Sequence, residues 1–375
     1  MGTRRARNLR PIGLSLALVV TFVVLLTLGT QRPDQQEPAA AAGASGPTAD
    51  TAAHPPDWMR RLNPGEKPPQ FVLFSFDGAG SHEHWQKMLR ISHDIGGARF
   101  SAFLSGIYLL TDDQKSQYIG PGHPAGKASI SFGGSAEEVK TRIDDLNTAK
   151  DRGIEIGTHY NGHFCAGAEP SVGHWNAQQW RLELDQFVKF MAQAPGLKVD
   201  PASVKGGRTP CLEGQFNALF DALTSRNMTY DSSKVADGVA WPTKDNGIWE
   251  FWMPQVRVPA VGNKKVVMMD YNLWYAFNRV KDDKSRRDEF ARNTLDVYRA
   301  AYNAAFQGNR APLVIANHFN DWAGGGFTDA TEAYFAEVCT KPQTVCATYT
   351  EVIQWMDLQT PATLEALRKL PNAQT

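Results

Sequence analysis

The sequence predicts an α/β fold, a distorted (β/α) barrel of about seven strands preceded by one transmembrane helix, and three observations lead there. From residue 71 onward, short β-like runs alternate with helical patterns, the mark of a largely parallel sheet with crossover helices. Titratable and charged residues fall just after those runs, where a parallel barrel keeps its chemistry. An uncharged apolar run stands near the N-terminus, ahead of everything else.

FVLFSF (71–76) reads as a buried strand. Ser135 with Glu138 three residues on forms a capping box, and Val139, Ile143 and Leu146 follow at helical spacing until Gly153 stops the helix. IEIGT (154–158) reads as a strand. Trp180, Leu184, Phe187, Val188 and Met191 make one helix face, and Phe216, Leu219 and Leu223 another. Later come a strand at Lys265 to Tyr271, a long helix from about Arg287 to Phe306, the strand PLVIAN (312–317), and a helix near Thr328 to Val338. A last short strand and helix end near Met356. Seven or so βα steps in this length fit one barrel better than two domains.

Arg4, Arg5, Arg7 and Arg10 precede an uncharged stretch from Pro11 to Gln31, which as a helix spans roughly 30 Å, the thickness of a bilayer core. No Lys or Arg lies between Pro33 and Met59 on the other side, so the positive-inside rule places the N-terminus in the cytoplasm and the remainder outside. The expected organisation is a signal anchor (1–31), a disordered extracytoplasmic linker (32–69), a barrel (70–358) and a C-terminal tail (359–375). The expected location is the cell membrane, single-pass. Secretion after signal cleavage is the alternative, since small residues follow around Ala39 to Ser45.

Outside the cytoplasm the four Cys can pair. Cys339 and Cys346 flank a short turn that a disulfide can staple, which leaves Cys165 with Cys211. Three connectivities are open, as is a reading as buried thiols. With 39 Lys+Arg against 39 Asp+Glu and a pI near 7.1, the chain lacks the electrostatic footprint of a nucleic-acid binder.

Five strand ends supply polar groups: Asp77 before Gly78, His159 and His163 in HYNGH, Arg208 before Pro210, Asp231 after Tyr230, and His318 after PLVIAN. A lone strand-end Asp is most often a helix cap, and a lone His a satisfied group; five together call for another account. The two His have the i, i+4 spacing of helical metal sites, although Asn161-Gly162 between them argues for a loop. The ten Trp are mostly core by composition, and a few can wall a sugar site.

The ordered series Ser75-Phe76-Asp77-Gly78-Ala79, His159-Tyr160-Asn161-Gly162-His163, Arg208-Thr209-Pro210, Tyr230-Asp231-Ser232-Ser233 and a strand ending in His318 resembles that of the polysaccharide deacetylases with a NodB-type domain. The closest flavour is the animal chitin deacetylases, and Trp241-Pro242 and Gln354-Trp355 keep that order. The resemblance covers about residues 70–358. It implies a divalent-metal hydrolase, with zinc the expected metal, that removes acetyl groups from N-acetylglucosamine-containing polysaccharide. Under it His159 and His163 ligate the metal, and Asp77 is the base for water. His318 protonates the amine, Arg208 keeps Asp77 ionised, and Asp231 joins the catalytic group. The backbone N–H of Cys211 supports the oxyanion. Trp241 and Trp322, which stand near these loops in sequence, are the expected substrate-binding Trp. The partners are the polysaccharide and, through the N-terminal helix, the membrane.

One position departs. The family has two consecutive Asp, base then metal ligand, and here the second is Gly78. Glu83 or Asp321 can replace it, Asp77 can itself become the ligand, or the metal is absent. The last case makes the chain a catalytically inactive carbohydrate-binding or wall-organising protein.

Overall fold

The computed structural model describes residues 56–375. The apolar run, with the expected membrane helix, and most of the expected linker lie outside them. Among the described residues no helix is long and apolar enough to cross a membrane.

The strands are β1 (Gln70–Gly78), β2 (Ser101–Leu104), β3 (Glu155–Thr158), β4 (Gly206–Gly207), β5 (Tyr230–Asp231), β6 (Val235–Asp237), β7 (Thr243–Asp245), β8 (Ile248–Glu250), β9 (Met253–Val258), β10 (Lys264–Val267), β11 (Leu313–His318) and β12 (Thr344–Cys346). The helices are α1 (His82–Asp94), α2 (Ala136–Asp151), α3 (Ala177–Gln193), α4 (Phe216–Thr224), α5 (Asp270–Asn278), α6 (Arg287–Gln307), α7 (Trp322–Val338), α8 (Tyr349–Leu358) and α9 (Pro361–Arg368).

The main sheet runs in the order β11-β1-β2-β3-β4-β5-β8-β7, with β12 also paired to β1. From β11 to β8 every ladder is parallel, which makes seven strands, and β7 returns antiparallel on β8. The β1 strand is buried from Gln70 to Asp77, on both faces, as a central strand between two covering layers must be. The strand number is the expected one, but ring closure is not seen: among the described residues no ladder joins β7 or β8 to β11. The segment that would close the ring goes elsewhere. The β6, β9 and β10 strands form a separate three-stranded sheet, and only an isolated bridge from Met269 to Ala316 reaches β11. The strand expected at Lys265 to Tyr271 therefore ends at Val267, pairs antiparallel with β9, and gives way to α5 at Asp270.

The capping box at Ser135 and Glu138 is present, and the same device opens α3 (Asn176 with Gln179) and α8 (Thr348 with Glu351). Residues 56–69, placed in the linker by sequence, lie against β1 and α8. Trp58 packs edge-on to Phe71, and Arg61 Nε donates to the Leu358 carbonyl. Residues 359–375, expected as a tail, form α9 and then pair Ala373 with Val239.

Candidate active site

The parallel register gathers the site. Asp77 and His318 are Cα partners at the ends of β1 and β11, while Gly78, Leu104, Thr158 and Gly207 are successive partners across β1 to β4. His159 and Arg208 each come one residue past that line. Four residues distant in sequence thus meet at one sheet edge because their strands stop together.

Arg208 is fully buried and meets an acceptor with each nitrogen. Nη1 donates to Asp77 Oδ1 at 2.8 Å, Nε to the Ser232 carbonyl, and Nη2 to the hydroxyls of Ser75, Ser232 and Tyr349. A buried guanidinium is tolerated only when so satisfied. Burial alone would raise the Asp77 pKa, but Arg208, His159 and His318 outweigh it and hold the carboxyl below its ordinary value. Asp77 stays ionised with one oxygen fixed.

His159 is buried, and its Nδ1–H donates to the Arg208 carbonyl at 2.8 Å, which leaves Nε2 as the free lone pair. Burial pushes its pKa down to about 3, against the pull of Asp77, so the ring is neutral. Burial and the charge of His318 also lower His163, whose ring centroid is 5.2 Å from that of His159. The segment between them is no helix. Tyr160 and His163 have φ of 59° and 55°, and Gly162 is required because a Cβ there would lie 2.3 Å from the Tyr118 hydroxyl. This costly backbone is clamped from α3. Glu183, fully buried, accepts the N–H groups of Asn161 and Gly162 with Oε1, while the Tyr118 hydroxyl donates to its carboxylate.

At His318, Asp270 takes both the backbone N–H (2.7 Å) and Nδ1–H (2.8 Å). Burial disfavours the imidazolium, but Asp270 and Asp77 outweigh it and raise the pKa. Beside Asp77 is therefore an imidazole whose protonated form is favoured, so the two ends of the site are pushed toward opposite charge. Neither Asp270 nor Glu183 is visible as a site residue in the sequence.

Disulfides join Cys165 to Cys211 and Cys339 to Cys346, the pairing expected. The first ties the His163 loop to the loop after Arg208, where Cys211 takes φ 57° and is exposed. Trp322 sits 5.0 Å from the His318 ring, stacked on Trp274 and edge-on to Tyr271.

Two assignments are corrected. Trp241 is 4% exposed, donates its indole N–H to the Asn309 carbonyl and stacks on Trp355, so it is core and offers no face to substrate. Asp231 is fully buried and engages both oxygens with Ser233, whose hydroxyl accepts the Thr209 N–H; it shapes the Arg208 loop and presents nothing to the cleft.

The donor set fits a divalent metal in part of its shell. Two adjacent neutral imidazoles suit zinc, and Asp77 is the carboxylate whose charge both of them feel. The replacements considered for position 78 are engaged elsewhere, Glu83 with Lys87 and Asp321 with His84. Among the described residues the one group with metal-ligand spacing is His163 with Cys165 and Cys211, and the two sulfurs are joined in a disulfide, which removes their thiolates.

No family model matches the chain, and no curated protein does. Solved structures to which it is similar include polysaccharide deacetylases and pseudoenzymes of the CE4 family. One is a Mycobacterium smegmatis protein assigned to the polysaccharide deacetylases, at 13% identity and TM-score 0.47, covering 84% of this chain and 96% of that one. Another is a wild-type CE4 pseudoenzyme from Bacillus anthracis, at 12% and 0.42, covering 78% and 68%. A third is a peptidoglycan N-acetylglucosamine deacetylase, at 14% and 0.42, covering 76% and 88%. Likeness at this level says nothing of chemistry, which has to come from the residues.

Proposed function

We propose that the chain is a hydrolase that removes acetyl groups from N-acetylglucosamine units of a polysaccharide. The observation that carries this reading is the matched pair at the ends of β1 and β11. An Asp77 bonded to Arg208 stands beside a His318 whose Nδ1 is bonded to Asp270, a partner that favours the protonated ring. An amide is a poor electrophile with a poor leaving group, so its hydrolysis needs a base for water and an acid for nitrogen at once.

In the proposed reaction Asp77 takes a proton from water as the water oxygen bonds to the acetyl carbon. The backbone N–H of Cys211 donates to the carbonyl oxygen as it gains charge. His318 then passes its proton to the nitrogen while the C–N bond breaks, releasing acetate and a free amine. Trp322 offers a wall for the sugar ring. His159 and His163 would hold a divalent metal, zinc by their chemistry, which supplies Lewis acidity toward the water and the carbonyl.

The test is acetate release from N-acetylglucosamine oligosaccharides. Asp77→Asn keeps the shape and removes the base, and the rate is expected to fall by about 10²- to 10⁴-fold. Unchanged release would sink the mechanism. Gly78 favours the second reading, a carbohydrate binder without turnover. On that reading the wild type retains these oligosaccharides on a column yet releases no acetate with any divalent metal added.

We also propose that residues 1–31 anchor the chain and that the catalytic part is extracytoplasmic. Support comes from the Arg-flanked apolar run and from two formed disulfides, which persist in oxidising compartments. The full chain is expected to sediment with membranes, and recovery of the intact chain in the soluble fraction would refute the anchor.

A further inference from the structure

Helix α5 does two things. Its first residue, Asp270, orients His318, and its exposed side carries Tyr271 and Tyr275, 43% and 49% exposed, followed by Arg279 at the C-cap. These three recur every four residues, which is one helix face, over about 12 Å at 1.5 Å per residue. Tyr271 touches Trp322, which touches His318, while the Arg279 guanidinium lies 4.9 Å over the Tyr275 ring. An aromatic line therefore leads outward from the acid of the site.

The line ends at a cleft of about 330 Å³ between α5 and the β9–β10 edge, into which Tyr275, Asn272, Lys264, Lys265 and Arg279 project. Three cations line it and no carboxylate does. In a chain whose charges balance at 39 to 39, that is a local departure. Only Lys265 has an ion-pair partner among the described residues, Asp237 at 2.6 Å; Lys264 and Arg279 have none. Exposed tyrosines give flat apolar faces for hexose rings, and a guanidinium beside them adds a planar fork for a carboxylate.

We propose that this cleft is a distal subsite for an acidic glycan, a chain that bears sugar carboxylates a short distance from the acetamido group at the catalytic centre. This rests on the glycan reading of the site and adds its charge preference. Tyr275 stacks the approaching ring, and Lys264 and Arg279 neutralise the carboxylate.

Binding, not turnover, tests it. Calorimetry on the full-length chain compares a hyaluronan oligosaccharide, which alternates glucuronate with N-acetylglucosamine, with a chitin oligosaccharide of equal length. The acidic chain is expected to bind about tenfold tighter at low salt, the worth of two exposed charge contacts, and to lose the advantage at high salt. Lys264→Glu with Arg279→Glu should abolish the preference while the thermal midpoint stays at the wild-type value. Tyr275→Ala should weaken both ligands. Equal affinity for the two oligosaccharides, a preference that survives the double reversal, or tight binding of poly(glycerol phosphate) in place of hyaluronan would each overturn the proposal. Acetate release is scored separately on the chitin oligosaccharide, so a failed deacetylase reading shows there and a failed subsite shows in the affinities.

Discussion

Asp77 and Gly78 end the same strand, at the two positions where the family the sequence resembles has consecutive Asp, and only the first keeps a carboxylate. Asp77 cannot freely do both jobs, because Arg208 already holds one of its oxygens. Gly78 has φ 82°, and a Cβ built there would meet Tyr108 Cε2 and Oη at 3.7 Å, which is ordinary contact. Space for a side chain therefore exists, but the backbone conformation costs about 1–2 kcal/mol for any L residue. Gly78→Asp is expected to tighten divalent-metal binding, read by chelator competition, while lowering stability by about that amount. Unchanged metal affinity in a folded Gly78→Asp protein would show that position 78 does not face the two imidazoles.

Among the elements, three of the strand ends and the α3 helix were legible, but the carboxylates that support the site, Glu183 on α3 and Asp270 at the start of α5, were not. Asp77, His159 and His318 each follow a recognisable apolar run, whereas Arg208 follows only Gly206-Gly207, and parallel strands that end together bring all four to one edge. Asp270 was hidden because VVMMD continues the strand pattern of Lys265 to Val267; it reaches His318 from a helix 48 residues earlier in the chain. Glu183 was hidden inside an amphipathic stripe on α3, where a polar residue among Trp180, Leu184 and Phe187 reads as the edge of the solvent face. Trp241 misled for the opposite reason, since an indole in the core and one at a sugar site look alike in sequence. The loops joining these elements give a prediction. Cys165–Cys211 spans 46 residues and ties the His163 loop to the Cys211 N–H, whereas Cys339–Cys346 staples a turn beside β12. Replacing the first pair with Ala should cut acetate release by about 10- to 100-fold in protein that remains folded by circular dichroism, the range seen when groups that orient a site are lost. Replacing the second pair should lower the thermal midpoint and leave the rate in place. Equal loss of rate from both replacements would mean that the first disulfide acts on stability alone.

Across the whole molecule, buried ionisable groups set opposing limits on stability. A group whose folded pKa is depressed contributes on the alkaline side and loses that contribution as pH falls. Asp77 and His159 are of this kind, His159 losing its share as pH drops from 6.5 through about 3. A carboxyl whose folded pKa is raised does the reverse. Burial lifts Asp231 to about 6 and Glu183 to about 7, so both favour the fold when protonated and lose that advantage as pH rises toward those values. Glu183 gives the cleaner test because glutamine mimics its protonated form. In Glu183→Gln the side-chain carbonyl oxygen can still accept from Asn161 and Gly162, and the new amide can donate to the Tyr118 hydroxyl. Wild type and Glu183→Gln should therefore melt together near pH 4, where the native carboxyl carries its proton. Between about pH 4.5 and 7 the wild type should fall progressively behind, and above pH 7 the gap should stay constant, because the folded and unfolded carboxyls are then both ionised. The His159–His163 loop hangs on this carboxyl, so protection of the Asn161 and Gly162 amides from hydrogen exchange, taken relative to the intrinsic rate at each pH, should fall in wild type over the same interval and hold in the variant. Parallel melting curves for the two proteins from about pH 4 to 8 would show that folding does not raise the Glu183 pKa above its unfolded value, and would overturn this account.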